Sequence, residues 1–189
     1  GAEDNFYYKE HELKVLVSLN QYGFPVYTAG EKTSPLVVDF DGDGEDEIIY
    51  GDKNGLIHII NSNDGTEVEN EDFPFDTGNQ IWGAASAADM DGDGLMDIAV
   101  VSKSDHLYLF DQNGLKLDFD SETYLLGTPA IGNLDDDADL EVVVGSYNTP
   151  TSGNKIYAIN PDGSNVDGFP LDLGEKVKIG VALADFNGN

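Results

Sequence analysis

"VVDFDGDGEDEIIYG", residues Val37 to Gly51, places six acidic side chains within nine positions and flanks them with short apolar runs. Two carboxylates about 4 Å apart repel by roughly 1 kcal/mol in water and about 4 kcal/mol at the effective dielectric of a protein surface. Such crowding is stable in a folded chain only where a cation sits among the acids.

The motif recurs. "DFDGDGEDE" starts at Asp39, "DMDGDGLMD" at Asp89, "NLDDDADLE" at Asn133 and "DFNGN" at Asp185, at offsets of 50, 44 and 52 residues. That period is close to one four-stranded propeller blade. The likeness extends beyond the acids. "TSPLVVD", "GAASAAD", "GTPAIGN" and "IGVALAD" put small residues and a mostly apolar run ahead of each loop. "EIIYG", "DIAVV" and "EVVVG" follow the first three, and a turn then leads to "LIHIIN", "LYLFD" and "KIYAIN". Tight turns at "NDG", "QNG" and "PDG" signal hairpins. A fourth, weaker strand is expected around Phe73–Phe75, Leu115–Phe119 and Phe169–Leu173. No segment has sustained helical periodicity, and the 29 glycines and prolines fall mostly at turns. The expected class is all-β: a β-propeller of four-stranded antiparallel blades forming one domain over residues 1–189, with repeats at about 31–80, 81–126 and 127–175.

Read by position, the loop is D-x-D-x-D-G-x-x-[DE], with side-chain oxygens at positions 1, 3, 5 and 9 and a backbone carbonyl at 7. Alternate residues of a tight turn point at one centre, and an all-oxygen set selects a hard cation such as Ca2+. The candidate ligands are Asp39, Asp41, Asp43, Glu45 and Glu47 in the first loop, and Asp89, Asp91, Asp93, Leu95 and Asp97 in the second. The third offers Asn133, Asp135, Asp137, Asp139 and Glu141. Glu45, Leu95 and Asp139 enter through their carbonyls. Gly44 and Gly94, at position 6, are expected at positive φ. An EF-hand is excluded, since it needs a glutamate at position 12 and flanking helices. Position 12 here is Tyr50, Val100 or Val144, and strands flank each loop. The third loop, with Asn133 first and Ala138 in place of glycine, is expected to be the weakest of the three.

Composition narrows the partners. The formal charge is -28, from 37 acids against nine basic residues, all of them lysine. That charge disfavours nucleic acid and anionic membrane, and without arginine an anionic ligand has only lysines to meet it. There is no cysteine, hence no disulfide and no thiolate site. The apolar runs are too short to span a bilayer, so no membrane insertion is expected, and the first residues are not those of a signal peptide.

The loops with their following strands, the upstream "GTPAIGNLD" and "TSPLVVDFD", and the hairpins "NDG" and "PDG" resemble the FG-GAP repeats of the integrin α-subunit propeller and its bacterial extracellular relatives. The phenylalanine-glycine pair that names the family is absent, and Gly127-Thr128-Pro129 only approximates its second signature. The resemblance implies a calcium loop joining the first two strands of a blade, with partners docking on other surfaces. It implies an extracellular or cell-surface module that binds a protein or glycan and is not an enzyme. Two alternatives stay open: a propeller domain of a carbohydrate-active enzyme such as a polysaccharide lyase, and a structural unit of a surface fibre or array.

The remaining residues are less telling. His11, His58 and His106 occupy different places in their repeats, which favours packing over a shared site. Trp82 is a sugar platform on one reading and a core or blade-interface aromatic on the favoured one. At the ends, "DFNGN" supplies Asp185, Asn187 and Asn189 as positions 1, 3 and 5, and appending "GAEDNFYY" restores the register with Asp4 at position 9. Residues 1–30 are thus expected to pair with 176–189 as a blade split between the termini. Closure within one chain, self-association between chains, and a fragment of a longer propeller all satisfy that reading.

Overall fold

A computed structural model describes residues 21–30, 32–68, 70, 72–135, 137–148 and 153–185. Its strands form three antiparallel sheets. The first runs β1 (Leu36–Val38), β2 (Glu47–Gly51), β3 (Leu56–Asn61), β4 (Phe75–Asp76) in spatial as in chain order. The second repeats this with β5 (Ser86–Ala88), β6 (Asp97–Val101), β7 (His106–Asp111) and β8 (Gly114–Asp120). After β9 (Tyr124–Leu125) comes the third: β10 (Ala130–Gly132), β11 (Glu141–Tyr147), β12 (Asn154–Ile159) and β13 (Leu171–Leu173). The expected fourth strands are present as β4, β8 and β13. The two-residue β9 was not expected. It pairs with the far end of β11, Ser146 opposite Leu125 and Tyr147 opposite Tyr124.

The second strands are β-branched runs buried on both faces, all five residues of β6 among them. Both faces are covered because the sheets stack. One core cluster joins Ile49, Ile57 and Ile59 of the first sheet to Ile98, Val100 and Phe110 of the second. Another joins Ala99, Val101 and Leu109 of the second to Val142, Val144 and Ile159 of the third. The small residues ahead of the loops have a steric reason. A Cβ on Gly83 would lie 2.8 Å from the Gly127 carbonyl carbon, and Ser86 Oγ donates to the Pro129 carbonyl oxygen at 2.7 Å. Adjacent first strands approach closely only if side chains there are short.

Each acidic loop joins the first two strands of its sheet, and so all three loops lie at one end of the stack. The turns carrying Lys53 and Lys103, between second and third strands, lie at the other. No helix is present among the described residues, and none is long and apolar enough to cross a membrane. Most of the expected split blade, residues 1–20 and 186–189, lies outside the described residues; its described parts, 21–30 and 176–185, carry no strand.

Candidate metal centre

The three loops share a hydrogen-bond scheme at positions 3 and 5, where each carboxylate commits one oxygen to a backbone amide. At position 3, Asp41, Asp91 and Asp135 Oδ1 accept from the amides of Asp43, Asp93 and Asp137 at 3.1–3.3 Å. At position 5, Asp43, Asp93 and Asp137 Oδ1 accept from the amides of Glu45, Leu95 and Asp139 at 2.8–3.0 Å. At position 1, Asp39 and Asp89 Oδ2 accept from Gly44 and Gly94 at 3.1 and 3.0 Å. Those glycines have φ of 92° and 93°, a backbone that L side chains rarely adopt. In the third loop Asn133 instead donates its Nδ2 to the Asp137 carbonyl at 2.9 Å, holding the turn together around Ala138.

Position 9 is the anchor. Glu47, Asp97 and Glu141 open the second strands and are almost fully buried. Glu47 Oε2 accepts from Phe40 N at 2.8 Å, Asp97 Oδ2 from Met90 N at 3.0 Å and Glu141 Oε2 from Leu134 N at 2.6 Å. In every loop the last acid thus ties down the amide of position 2, a recurrence that spacing alone does not reveal. Burial pushes all three carboxyls above the ordinary carboxylate range, although these amide bonds favour the charged form. Neighbouring aspartates of the loop raise Glu47 and Glu141 further.

Ligand-capable oxygens of Asp39, Asp41 and Asp43 lie within 4.8 Å of one another, as do those of Asp89, Asp91 and Asp93, and of Asp135, Asp137 and Glu141. Among the described residues of these loops, Asp89 Oδ1 and Glu141 Oε1 are buried without a hydrogen-bond partner. An all-oxygen donor set with orphaned buried carboxylate oxygens fits a hard divalent cation and gives no ligand preferred by softer metals. Asp185 is described and exposed. Asp4, Asn187 and Asn189 lie outside the described residues.

The second loop differs from the others. Lys116 Nζ donates to Asp91 Oδ2 at 2.7 Å and to Asp97 Oδ1 at 3.4 Å. Its position comes from a bulge. Leu117 pairs with Leu109 and Leu115 with Phe110, leaving Lys116 opposite nothing, and the extra residue re-aims its side chain. Burial works against the Lys116 charge, yet the bond to Asp91 and the attraction of Asp97 outweigh it and raise the ammonium's pKa. The two acids part company: the Lys116 bond lowers Asp91, whereas burial keeps Asp97 raised. The sequence did carry a signal. Two residues after the hairpin glycines Gly65, Gly114 and Gly163 stand Glu67, Lys116 and Asn165.

The two described histidines, His58 and His106, do not come together in a site. His58 Nδ1 lies 2.5 Å from Glu67 Oε1 and its ring stacks on Tyr50, while His106 pairs with Asp118 and stacks on Tyr108. His11 lies outside the described residues.

Residues 39–100, which hold the first two loops and the strands between them, match the family of FG-GAP-like repeats. The crystal structure of BBS1N in complex with ARL6DN, soaked with lead, superposes with a TM-score of 0.54 at 17% identity, over 84% of this chain and 44% of that one. The same complex soaked with mercury gives 0.53 at 16%, over 76% and 45%. The crystal structure of the V. cholerae biofilm matrix protein Bap1 gives 0.47 at 21%, over 71% and 30%. The chain spans less than half the length of each. The BBS1N likeness is one of fold, all-β and propeller-like. No curated protein matches the chain significantly.

Proposed function

We propose, for a chain whose residues 39–100 carry FG-GAP-like repeats, a calcium-stabilised β-propeller module of the cell exterior that binds a protein or glycan and performs no chemistry of its own. The observation that supports this most is Glu141. It is fully buried, one oxygen holds the Leu134 amide, and the other has no hydrogen-bond partner beside Asp135 and Asp137. An ionised carboxylate left so costs several kcal/mol, and a cation bound there removes the cost.

The first ion would be held by Asp39, Asp41, Asp43 and Glu47, the second by Asp89, Asp91, Asp93 and Asp97, and the third by Asn133, Asp135, Asp137 and Glu141. Calcium bound there supplies charge neutralisation and pins the loop to its strand pair. A structural role is favoured over a catalytic one because the loop's side chains and carbonyl fill most of the coordination sphere. Extracellular calcium modules work with sites of about 0.1–1 mM affinity, suited to the millimolar calcium outside cells.

The test is thermal unfolding in millimolar calcium against excess chelator. With sites of about 0.1 mM affinity and about 1 mM free calcium, each ion contributes roughly 1.4 kcal/mol. That is a shift of a few degrees per site. An unchanged melting temperature overturns the metal reading. Depolymerisation of acidic or neutral polysaccharides by the calcium-loaded chain overturns the non-catalytic one.

A further inference from the structure

At the end of the stack opposite the acidic loops, the lysines and aromatics form a continuous row. Lys32 Nζ lies 3.9 Å from the centre of the Trp82 ring and Lys103 Nζ lies 4.8 Å from it. The Lys103 ammonium also lies 5.6 Å from the centre of the Tyr124 ring. Tyr124 is 46% exposed and stands directly opposite Tyr147 in the β9–β11 pair. Tyr147 in turn carries Lys176 at 4.8 Å and Lys178 at 5.8 Å. Four of the seven described lysines in a chain of charge -28 are thus gathered on three aromatic rings. The buried acid of this end, Asp52, is turned inward and accepts from the amides of Asn54 and Leu56.

We propose that this row binds an acidic polysaccharide, one carrying carboxylates at intervals along a slender chain. Ammonium groups meet the carboxylates, and the exposed Tyr124 ring offers a flat apolar face to the sugars. Cation–π contact orders the lysines beforehand, which lowers the entropy lost on binding. The rest of the surface decides between a glycan and an acidic protein. Screening confines a charge's reach to about 10 Å at 0.1 M salt. A thread lying along the row stays within that reach, whereas a bulky acidic partner brings its charge against the acidic surface around it.

The inference rests on the binding role proposed above, but not on the calcium loops at the far end. Trp82 is the only tryptophan, so intrinsic fluorescence reads the row directly. The experiment titrates the full chain, at fixed millimolar calcium and low salt, with hyaluronan, which has a carboxylate on every second sugar. Dextran and polyglutamate are titrated in parallel. A saturable change in Trp82 emission is expected with hyaluronan alone, weakened by added salt. The double variant Lys32→Gln/Lys103→Gln is expected to bind about tenfold more weakly. Melting of the variant with and without calcium, without polymer, shows that the fold and the metal response are intact. No saturable change with hyaluronan overturns the proposal, as does equal binding of dextran. Tighter binding of polyglutamate overturns it in favour of an acidic protein partner.

Discussion

Lys116 Nζ sits 2.7 Å from Asp91 Oδ2, so the second acidic loop contains a positive charge of its own. The bulge in β8 leaves Lys116 unpaired, whereas Glu67 and Asn165, at the corresponding positions of the other two sheets, stand opposite Ile60 and Ile159. A fixed ammonium a few ångströms from a divalent cation repels it, and one that holds two of its ligands must also be displaced or turned aside.

Lys116→Met is therefore expected to tighten calcium binding at the second loop by about tenfold, a minimum set by the Coulomb repulsion of the charges in water. Terbium luminescence or titration calorimetry would show one site strengthened and the others unmoved. Weaker binding in the variant would mean that Lys116 supports the ligands and does not compete with the ion. On this account the weakest site is the second, where sequence alone pointed to the third.

Register within the first loop is tested by Asp43→Ala against Asp46→Ala. Asp43 belongs to the oxygen cluster with Asp39 and Asp41, while Asp46 is placed to accept the Ser62 amide through its backbone carbonyl. Calorimetry is expected to show a loss of at least tenfold in affinity for the first and a small change for the second. Equal losses would shift the ligand register.

Stability in chelator carries a pH signature. Glu47, Asp97 and Glu141 have carboxyls raised above their unfolded values, chiefly by burial. The folded state binds these protons more tightly, so the contribution is fully present below the ordinary carboxylate range and is lost as pH rises through the raised values. The melting temperature of the calcium-free chain is expected to rise as pH falls from neutral toward about 5. Protons compete with calcium for the same oxygens, so the calcium-induced shift shrinks over that interval. A chelated chain that loses stability on mild acidification contradicts this assignment.

Glu141→Gln separates the metal from the carboxylate. The amide keeps an oxygen for Leu134 N and turns a donor toward Asp135 and Asp137 in place of an unpaired buried oxygen. In chelator the variant is expected to gain about 1–2 kcal/mol. In calcium it loses one ion from the stoichiometry. A variant destabilised in both conditions would assign Glu141 to packing alone.

Gly42→Ala tests the approach of neighbouring loops. Gly42 has φ of 78°, and a Cβ there would lie 2.5 Å from Leu95 Cδ2 of the next loop. Denaturant unfolding is expected to show a loss of about 1–2 kcal/mol from backbone strain, with the contact adding to it.

The acidic loops and the strands around them were legible because the oxygen-bearing residues recur at fixed alternate positions and burial demands β-branched runs at a fixed distance from them. The amide bonds of Glu47, Asp97 and Glu141 were not legible, since any residue at position 2 supplies an N–H. Lys116 was visible only as a mismatch with Glu67 and Asn165, and the bulge that aims it is a property of pairing. Strand β9 is too short to show a period. Trp82 is half-buried, and its two ammonium neighbours come from distant segments that only the stack brings together.

A stack in which each layer grips only the next behaves as a row of coupled switches, where the strength of the chain is that of its seams. The core clusters formed by the outer sheets both close on the middle one. That middle layer is also the one with an ammonium among its acids. On the calcium reading proposed above, withdrawal of the ion is expected to loosen the first and third acidic loops before the second, whose own ammonium stays in place.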